Sequence, residues 1–225
     1  MNQPREPIIL GGVESVQAGL PRSVTWEGRA FQTSVFKSSV LGPTTVSERG
    51  LAGDSNPVDP VEASKAVYAY FSRHYPFWED KLGLPNLPFG SFGENLTLSG
   101  LDESTIHVGD LFQIGSVVLA VTEPRVPCYD LNVKFDCKDI VKQLLASGQS
   151  GAYFSVIKEG MLEAGDSLVL KSAHPGRVAI QTVYRLYVGA GSRNDYDRVV
   201  SLDALPDSWR TYFQQMGHSN KLESR

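Results

Sequence analysis

In the first part of the chain, short runs of β-branched and aromatic residues alternate with glycine-bearing turns. Ser23 to Trp26, Gln32 to Phe36 and Pro43 to Val46 are such runs, punctuated by Glu27-Gly28, Leu41-Gly42 and Arg49-Gly50. This pattern predicts a hairpin-rich sheet. From Ser64 the spacing changes. Val67, Tyr68, Phe71 and Tyr75 recur at helical intervals, Trp78 and Leu82 extend the stripe, and Ser64 can cap it, so a helix is expected over 64–82.

Gly83 to Gly93 reads as a loop dense in proline and glycine. Strand patterns return at Asn95 to Leu98, Thr105 to Val108, Leu111 to Ile114 and Val117 to Thr122, with Gly109-Asp110 and Gly115-Ser116 as turns. A second helix is predicted from Asp136 to Ala146, with Ile140, Val141, Leu144 and Leu145 on one face and Gly148 just past its end. Tyr153 to Ile157 and Ser167 to Leu170 complete the strands around Ala164-Gly165-Asp166. The sum is a mixed α+β unit, a barrel or sandwich with two helices laid on it. Ala173-His174-Pro175-Gly176 reads as a linker to three amphipathic segments, Val178 to Val188, Asp195 to Leu202 and Pro206 to Met216. Gly217 to Arg225 is polar and expected to fray.

Composition narrows the function classes. The 225 residues are 41% hydrophobic and 20% charged, and no apolar run approaches the roughly 20 residues of a membrane span. The segment Met1 to Pro7 is polar and leads only into Ile8-Ile9-Leu10, which is no signal-peptide core, so a cytoplasmic location is expected. A net charge of −4 argues against nucleic acid as a partner. Two cysteines are too few for a disulfide framework and fit no zinc spacing. His74, His107, His174 and His218 are dispersed, which disfavours a histidine-based metal site.

The chemistry concentrates in Pro124-Arg125-Val126-Pro127-Cys128-Tyr129. Two prolines stiffen this loop, and an arginine precedes the cysteine by three residues, the setting in which a cation favours a thiolate. The plainer alternative for Cys128 is an apolar filler. Cys137, beside Asp136 at an expected helix start, reads as a packing residue. Asn95 follows Gly93-Glu94 and either closes an Asx-turn or offers an amide to a ligand approaching over glycine. Glu94 reads as a solvated charge rather than a catalytic acid. Lys37 ends an apolar strand where it is either a surface lysine or a cation at a pocket mouth. Lys65 and Arg73 are placed on the 64–82 helix, by default on its solvated face.

Gly50-Leu51-Ala52-Gly53-Asp54, Lys65-Ala66-Val67-Tyr68-Ala69-Tyr70, Phe92-Gly93-Glu94-Asn95-Leu96, Val108-Gly109-Asp110, Pro124-Arg125-Val126-Pro127-Cys128 and Ala164-Gly165-Asp166 stand in the order seen in MOSC domains. The chain resembles the small stand-alone bacterial branch of that family over roughly residues 16 to 216. The resemblance implies a β-rich barrel with packed helices at 1–172 and a small three-helix domain at 177–218. It further implies binding of the molybdenum cofactor (molybdopterin), with Cys128 as thiolate ligand to the metal and catalytic residue. Lys37, Lys65, Phe92, Gly93, Asn95 and Arg125 are the implied cofactor-binding set. Relatives in the branch are associated with reduction of N-hydroxylated compounds, hydroxylaminopurines among them, to amines. That implies a small-molecule substrate and an external electron-donor protein, since the chain holds no iron–sulfur, flavin or haem motif.

Family members carry a His-Gly-Gly-Pro-Asp-like segment before the Lys-Ala-Val-Tyr motif. Here Pro60-Val61-Glu62-Ala63-Ser64 stands instead, and Asp59 and Glu62 add negative charge. Three readings therefore stay open: a molybdenum-dependent reductase, a sulfur or cofactor carrier, and a binding module without cofactor. The three C-terminal helices could recruit the electron donor, cover the pocket or form a homodimer contact.

Overall fold

The computed structural model of the chain describes residues 7–55 and 62–220. Readings placed on Met1 to Glu6, Asp59 to Val61 and Lys221 to Arg225 lie outside them. In chain order the strands are β1 (Ile8–Ala18), β2 (Arg22–Trp26), β3 (Arg29–Thr33), β4 (Ser38–Ser39), β5 (Thr44–Ser47), β6 (Gly50–Leu51), β7 (Val67–Phe71), β8 (Leu96–Ser99), β9 (Leu111–Ile114), β10 (Val117–Pro124), β11 (Ala152–Lys158), β12 (Gly160–Leu162) and β13 (Ser167–Ser172). The α-helices are α1 (Tyr75–Leu82), α2 (Asp130–Lys134), α3 (Ile140–Ser147), α4 (Ile180–Tyr187), α5 (Arg193–Val200) and α6 (Asp207–Asn220).

Seven strands close a barrel in the order β13, β9, β10, β11, β7, β8, β1, with β1 pairing back onto β13. All of these pairings are antiparallel except β7 with β8. The chain therefore needs a long crossover between β7 and β8, and α1 with the following loop supplies it. Closure leaves the barrel without an open edge. Its interior is filled by Val13, Val67, Ala69, Phe71, Leu96, Phe112, Leu119 and Phe154, among others.

The helix expected over 64–82 is a correction. A 3₁₀ turn at Ala63–Lys65, strand β7, a second 3₁₀ turn at Ser72–His74 and then α1 occupy that stretch. All five β7 residues are buried. Val67, Ala69 and Phe71 face the barrel core, while Tyr68 and Tyr70 enter a second cluster with Tyr75, Trp78, Phe92, Leu131 and Leu144. A strand covered on both faces reads as an unbroken apolar run, which mimics a helical stripe when a true helix follows it. Lys65 and Arg73 accordingly lie on 3₁₀ turns, not on a helix.

Thr105 to Val108 forms no strand; a single bridge joins His107 to Ala179. The helix expected over 136–146 is α3, which starts only at Ile140; a further short helix, α2, precedes it, and Asp136 at φ 47° separates the two. Gly148 does cap α3, with φ 73°. The hairpin β2–β3 turns at Glu27-Gly28, both at positive φ, so its second strand starts earlier than Gln32. Strand β1 was not legible because glycines interrupt it. Gly11 is required there: a Cβ would stand 1.9 Å from the Ser99 carbonyl oxygen of the neighbouring strand.

Three C-terminal helices stand close to their expected positions, and α6 continues through Gly217 to Asn220 rather than fraying there. Their apolar residues Val183, Val199, Leu205, Trp209 and Phe213 run into the same hydrophobic cluster as the barrel interior. Trp209 donates its indole N–H to the buried carboxylate of Glu123 on β10. Among the described residues no helix is long and apolar enough to cross a membrane.

Candidate functional site

Register explains where the chemistry gathers. Pro124 pairs with Ala152, Ala152 with Ala69, and Ala69 with Leu96, so four strands are aligned in one row. The loop leaving β10, which carries Arg125 and Cys128, and the loop entering β8, which carries Gly93 to Asn95, therefore open at the same end of the barrel. Between them lies a cleft of about 330 Å³. Lys37, Lys65, Gly93, Asn95, Arg125 and Cys128 all line it. Six of the seven site residues read from sequence are thus brought together.

The seventh, Phe92, is a correction. Its ring is 1% exposed and packs 4.4 Å from Tyr70 by ring centroids, away from the cleft. Its contribution is the backbone carbonyl, which accepts a hydrogen bond from Arg125 Nη1 at 2.8 Å.

Arg125 is the buried hinge of the site. Besides holding Phe92, it donates through Nη2 to Cys128 Sγ at 3.6 Å, and its guanidinium lies 4.4 Å from the Tyr68 ring centroid. Gly93 makes room for it, since at φ +78° a Cβ would stand 3.3 Å from Nη1. Cys128 itself is exposed and unbridged, whereas Cys137 is half-buried and packs on the aromatic cluster. The thiol therefore faces outward while its cation is fixed behind it.

Asp54 organises the opposite wall. It accepts from Gly19 N at 2.8 Å, from Asn95 Nδ2 at 2.7 Å and from the ammonium of Lys37. Asn95 Oδ1 in turn accepts from the Tyr68 amide at 3.0 Å, and Nδ2 also reaches the Gln17 carbonyl at 3.4 Å. The Asn95 amide is thus committed to the wall, so this residue positions Asp54 rather than reaching for a ligand. Burial holds the Lys37 ammonium below the usual lysine range against the opposing pull of Asp54. Lys65 pairs with Glu62 at 2.8 Å; burial disfavours its charge, but the Glu62 hydrogen bond and the nearby Glu123 and Glu62 charges together outweigh it and raise the ammonium.

Sequence reasoning missed several contributors. Arg49 and Tyr153 line the cleft, and only their positions in the folded barrel reveal it. Asp54 stood in a Gly-Asp turn that carried the resemblance, and that turn was its one signal. Glu94 is the sharpest reversal: it is 0% exposed and accepts from Gly90 N at 2.8 Å, Phe92 N at 3.0 Å, Thr97 Oγ1 at 3.0 Å and the Tyr75 hydroxyl. It folds the Gly90–Asn95 loop instead of meeting solvent. Lys134 on α2 reinforces that loop by donating to the carbonyls of Val35, at 2.9 Å, and Gly90.

Among the described residues the cleft presents four cations, Lys37, Arg49, Lys65 and Arg125, against three carboxylates, Asp54, Glu62 and Asp130. The carboxylates are engaged by Lys37, Lys65 and the Thr33 hydroxyl. Such a cleft suits an anionic ligand with one soft donor at its rim. Among the described residues there is no group of three or more His, Cys, Asp or Glu able to hold a metal ion by themselves.

Comparison with known proteins places this geometry in context. Residues 49–169 match the MOSC domain family. The chain is 34% identical over 206 residues to the uncharacterized protein YflK of Bacillus subtilis (strain 168), covering 90% of this chain and 93% of that protein. The crystal structure of YiiM from Geobacillus stearothermophilus is similar with a TM-score of 0.77 at 32% identity, over 91% of this chain and 98% of that one. A protein named Reductase in Gibberella moniliformis (strain M3125 / FGSC 7600) is 31% identical over 147 residues, 64% of this chain but 26% of that protein.

Proposed function

From the chain's membership of the MOSC domain family, we propose that it binds the molybdenum cofactor in the cleft and reduces N-hydroxylated small molecules to amines. The observation that carries this reading is the exposed Cys128 thiol, held by Arg125 at the rim of a cation-lined cleft.

The residues present fit the group. One soft sulfur donor is available, which suits a metal whose other ligands come from a pterin dithiolene. Arg49, Lys37, Lys65 and Arg125 supply positive charge for a phosphate. Gly93, where a Cβ would crowd Val35 at 3.1 Å and Arg125 at 3.3 Å, leaves the Arg125 guanidinium its place in the cleft wall. Glu62 occupies the segment that departs from the family pattern, and it is neutralised by Lys65 rather than left facing the cleft as bare charge.

When bound, the cofactor supplies a metal able to pass two electrons to a substrate. Overall, R–NHOH takes up two electrons and two protons; the N–O bond breaks, and the amine and water leave. The electrons come from an external electron-donor protein. The chain's own part is to hold the metal through Cys128, to fix that thiol by the Arg125 hydrogen bond, and to anchor the phosphate by the cleft cations.

The test is elemental analysis with pterin fluorescence after oxidation, on protein from a host competent in cofactor synthesis. Near-stoichiometric molybdenum that is lost in Cys128→Ser but kept in Cys137→Ser is the expected result. Metal-free wild type would overturn the cofactor reading in favour of a binding module. Molybdenum without turnover of any N-hydroxylated compound under a chemical reductant would favour a cofactor carrier, a reading to which the exposure of Cys128 also lends itself.

A further inference from the structure

Arg125 stands between two openings. On one side is the cleft; on the other is a small cavity lined by Phe92, Pro127, Leu131, Gln149 and Tyr184, among others. Among the described residues, Tyr68 and Arg125 border both. The cavity leaves about 10 Å³ for the centre of a water molecule, at the lower bound of the roughly 10–15 Å³ that one ordered water needs.

This cavity forms where the C-terminal helices meet the barrel. Gly148 ends α3, the Gln149 amide donates to Ser147 Oγ at 3.1 Å, and the Gln149 side chain turns inward. Its Oε1 is shielded from solvent and, among the described residues, accepts no hydrogen bond. Tyr184 on α4 donates its hydroxyl to the Leu145 carbonyl at 2.9 Å, which pins that helix to the end of α3 and seats its ring in the cavity wall. Arg125, 9% exposed, brings donors to spare. A guanidinium has five N–H donors; one goes to the Phe92 carbonyl and one to Cys128 Sγ, and the rest meet no acceptor among the described residues. A buried acceptor left unmet is costly, and acceptors of this kind are met by ordered water where the space allows.

We propose that one ordered water occupies this cavity, accepting from an Arg125 N–H and donating to Gln149 Oε1, and that Gln149 is thereby a positioning residue for the Cys128 thiol. The guanidinium is then held at three points: the Phe92 carbonyl, the water and the sulfur. Without the water its plane can turn about the Phe92 anchor, and the 3.6 Å contact to Sγ loosens. The C-terminal helices gain a part in the site, since Tyr184 walls the cavity behind the thiol's cation. The bridge stands whatever the cleft binds.

Two measurements test this on the metal-free protein. A crystal structure of the wild type that resolves ordered water should show a peak about 2.7–3.2 Å from both Gln149 Oε1 and an Arg125 nitrogen; well-ordered side chains with no density between them overturn the bridge. Alkylation of Cys128 by iodoacetamide, followed by peptide mass, is then compared in wild type and Gln149→Met, which keeps the shape and removes the acceptor. The rate is expected to fall about 3- to 10-fold, because a guanidinium no longer held beside the sulfur stabilises less thiolate. In an Arg125→Lys background the same substitution should change nothing further. An unchanged rate in Gln149→Met, or an equal fall with and without Arg125, reduces the water to packing and overturns the positioning role.

Discussion

Glu94→Ala tests whether the loop that frames the cleft is built on one buried carboxylate. Glu94 is 0% exposed and accepts two backbone amides, Gly90 at 2.8 Å and Phe92 at 3.0 Å, together with the hydroxyls of Thr97 and Tyr75. The hydroxyls can turn toward other acceptors. The amides are held in place by positive φ at Gly90 and Gly93; that of Gly90 keeps a second acceptor in the Tyr75 hydroxyl at 3.1 Å, while that of Phe92 is left without one. The unmet Phe92 amide costs about 1–3 kcal/mol and each of the other lost bonds about 0.5–1.5 kcal/mol, so truncation should destabilise by about 4 kcal/mol. With an unfolding entropy of about 2.1 cal/mol/K per residue, this chain should melt about 8 °C lower. Glu94→Gln keeps one acceptor oxygen in the same shape and should lose roughly half as much. Differential scanning calorimetry of both variants is the assay. Melting of Glu94→Ala within 2 °C of wild type would refute the reasoning and return Glu94 to the role of a surface charge.

Lys134 should give the stability a rise with alkaline pH. Burial, aided by Arg125 and Lys37 against the pull of Glu94, pushes its ammonium down to about 8. Between there and the unfolded value of about 10.4 the unfolded chain holds more protons, so stability increases with pH across that window. The difference between wild type and Lys134→Met in urea unfolding should widen by about 2–3 kcal/mol from pH 8 to 10, and a flat difference would rule this out. Trp209→Phe removes the N–H that meets the buried Glu123 carboxylate and should cost about 1–3 kcal/mol; a double-mutant cycle with Glu123→Gln should show coupling above about 0.5 kcal/mol, and strict additivity would deny the bond. Gly93→Ala and Gly165→Ala both place alanine at positive φ, about 1–2 kcal/mol each, but only at Gly93 does the new Cβ press on Arg125. Alkylation of Cys128 by iodoacetamide should therefore change in the first and not in the second; equal rates would detach Arg125 from the thiol.

How much of the site could be read in advance follows from where each residue's partners lie. The Cys128 loop was legible because its signals are local: two prolines, an arginine three residues away, a helix to follow. Lys37, Lys65, Gly93, Asn95 and Arg125 were grouped only by what the resemblance implies, because nothing in their own neighbourhoods links them. Lys37 meets Asp54 across 17 positions, and Asn95 meets the same carboxylate across 41; such contacts leave no mark on neighbouring residues. Glu94 misled because a charged residue beside glycine normally meets water, and its donors become visible only once Gly90 and Phe92 fold around it. Phe92 misled in the opposite sense, since its motif is real but its ring serves the aromatic cluster.

By itself the sequence determined the local punctuation: the hairpin turn at Glu27-Gly28, the short strands β8, β9 and β10, the stop at Gly148, and the three C-terminal amphipathic segments, all set by backbone preferences of a few adjacent residues. Tertiary structure alone decided that Val67 to Phe71 is a strand, because burial on both faces by β8, β11 and the aromatic cluster overrides a helical-looking period. It also decided that the cleft exists at all. The row Pro124, Ala152, Ala69 and Leu96 is a matter of interstrand register, and register is fixed by packing across the closed barrel rather than by any segment it aligns.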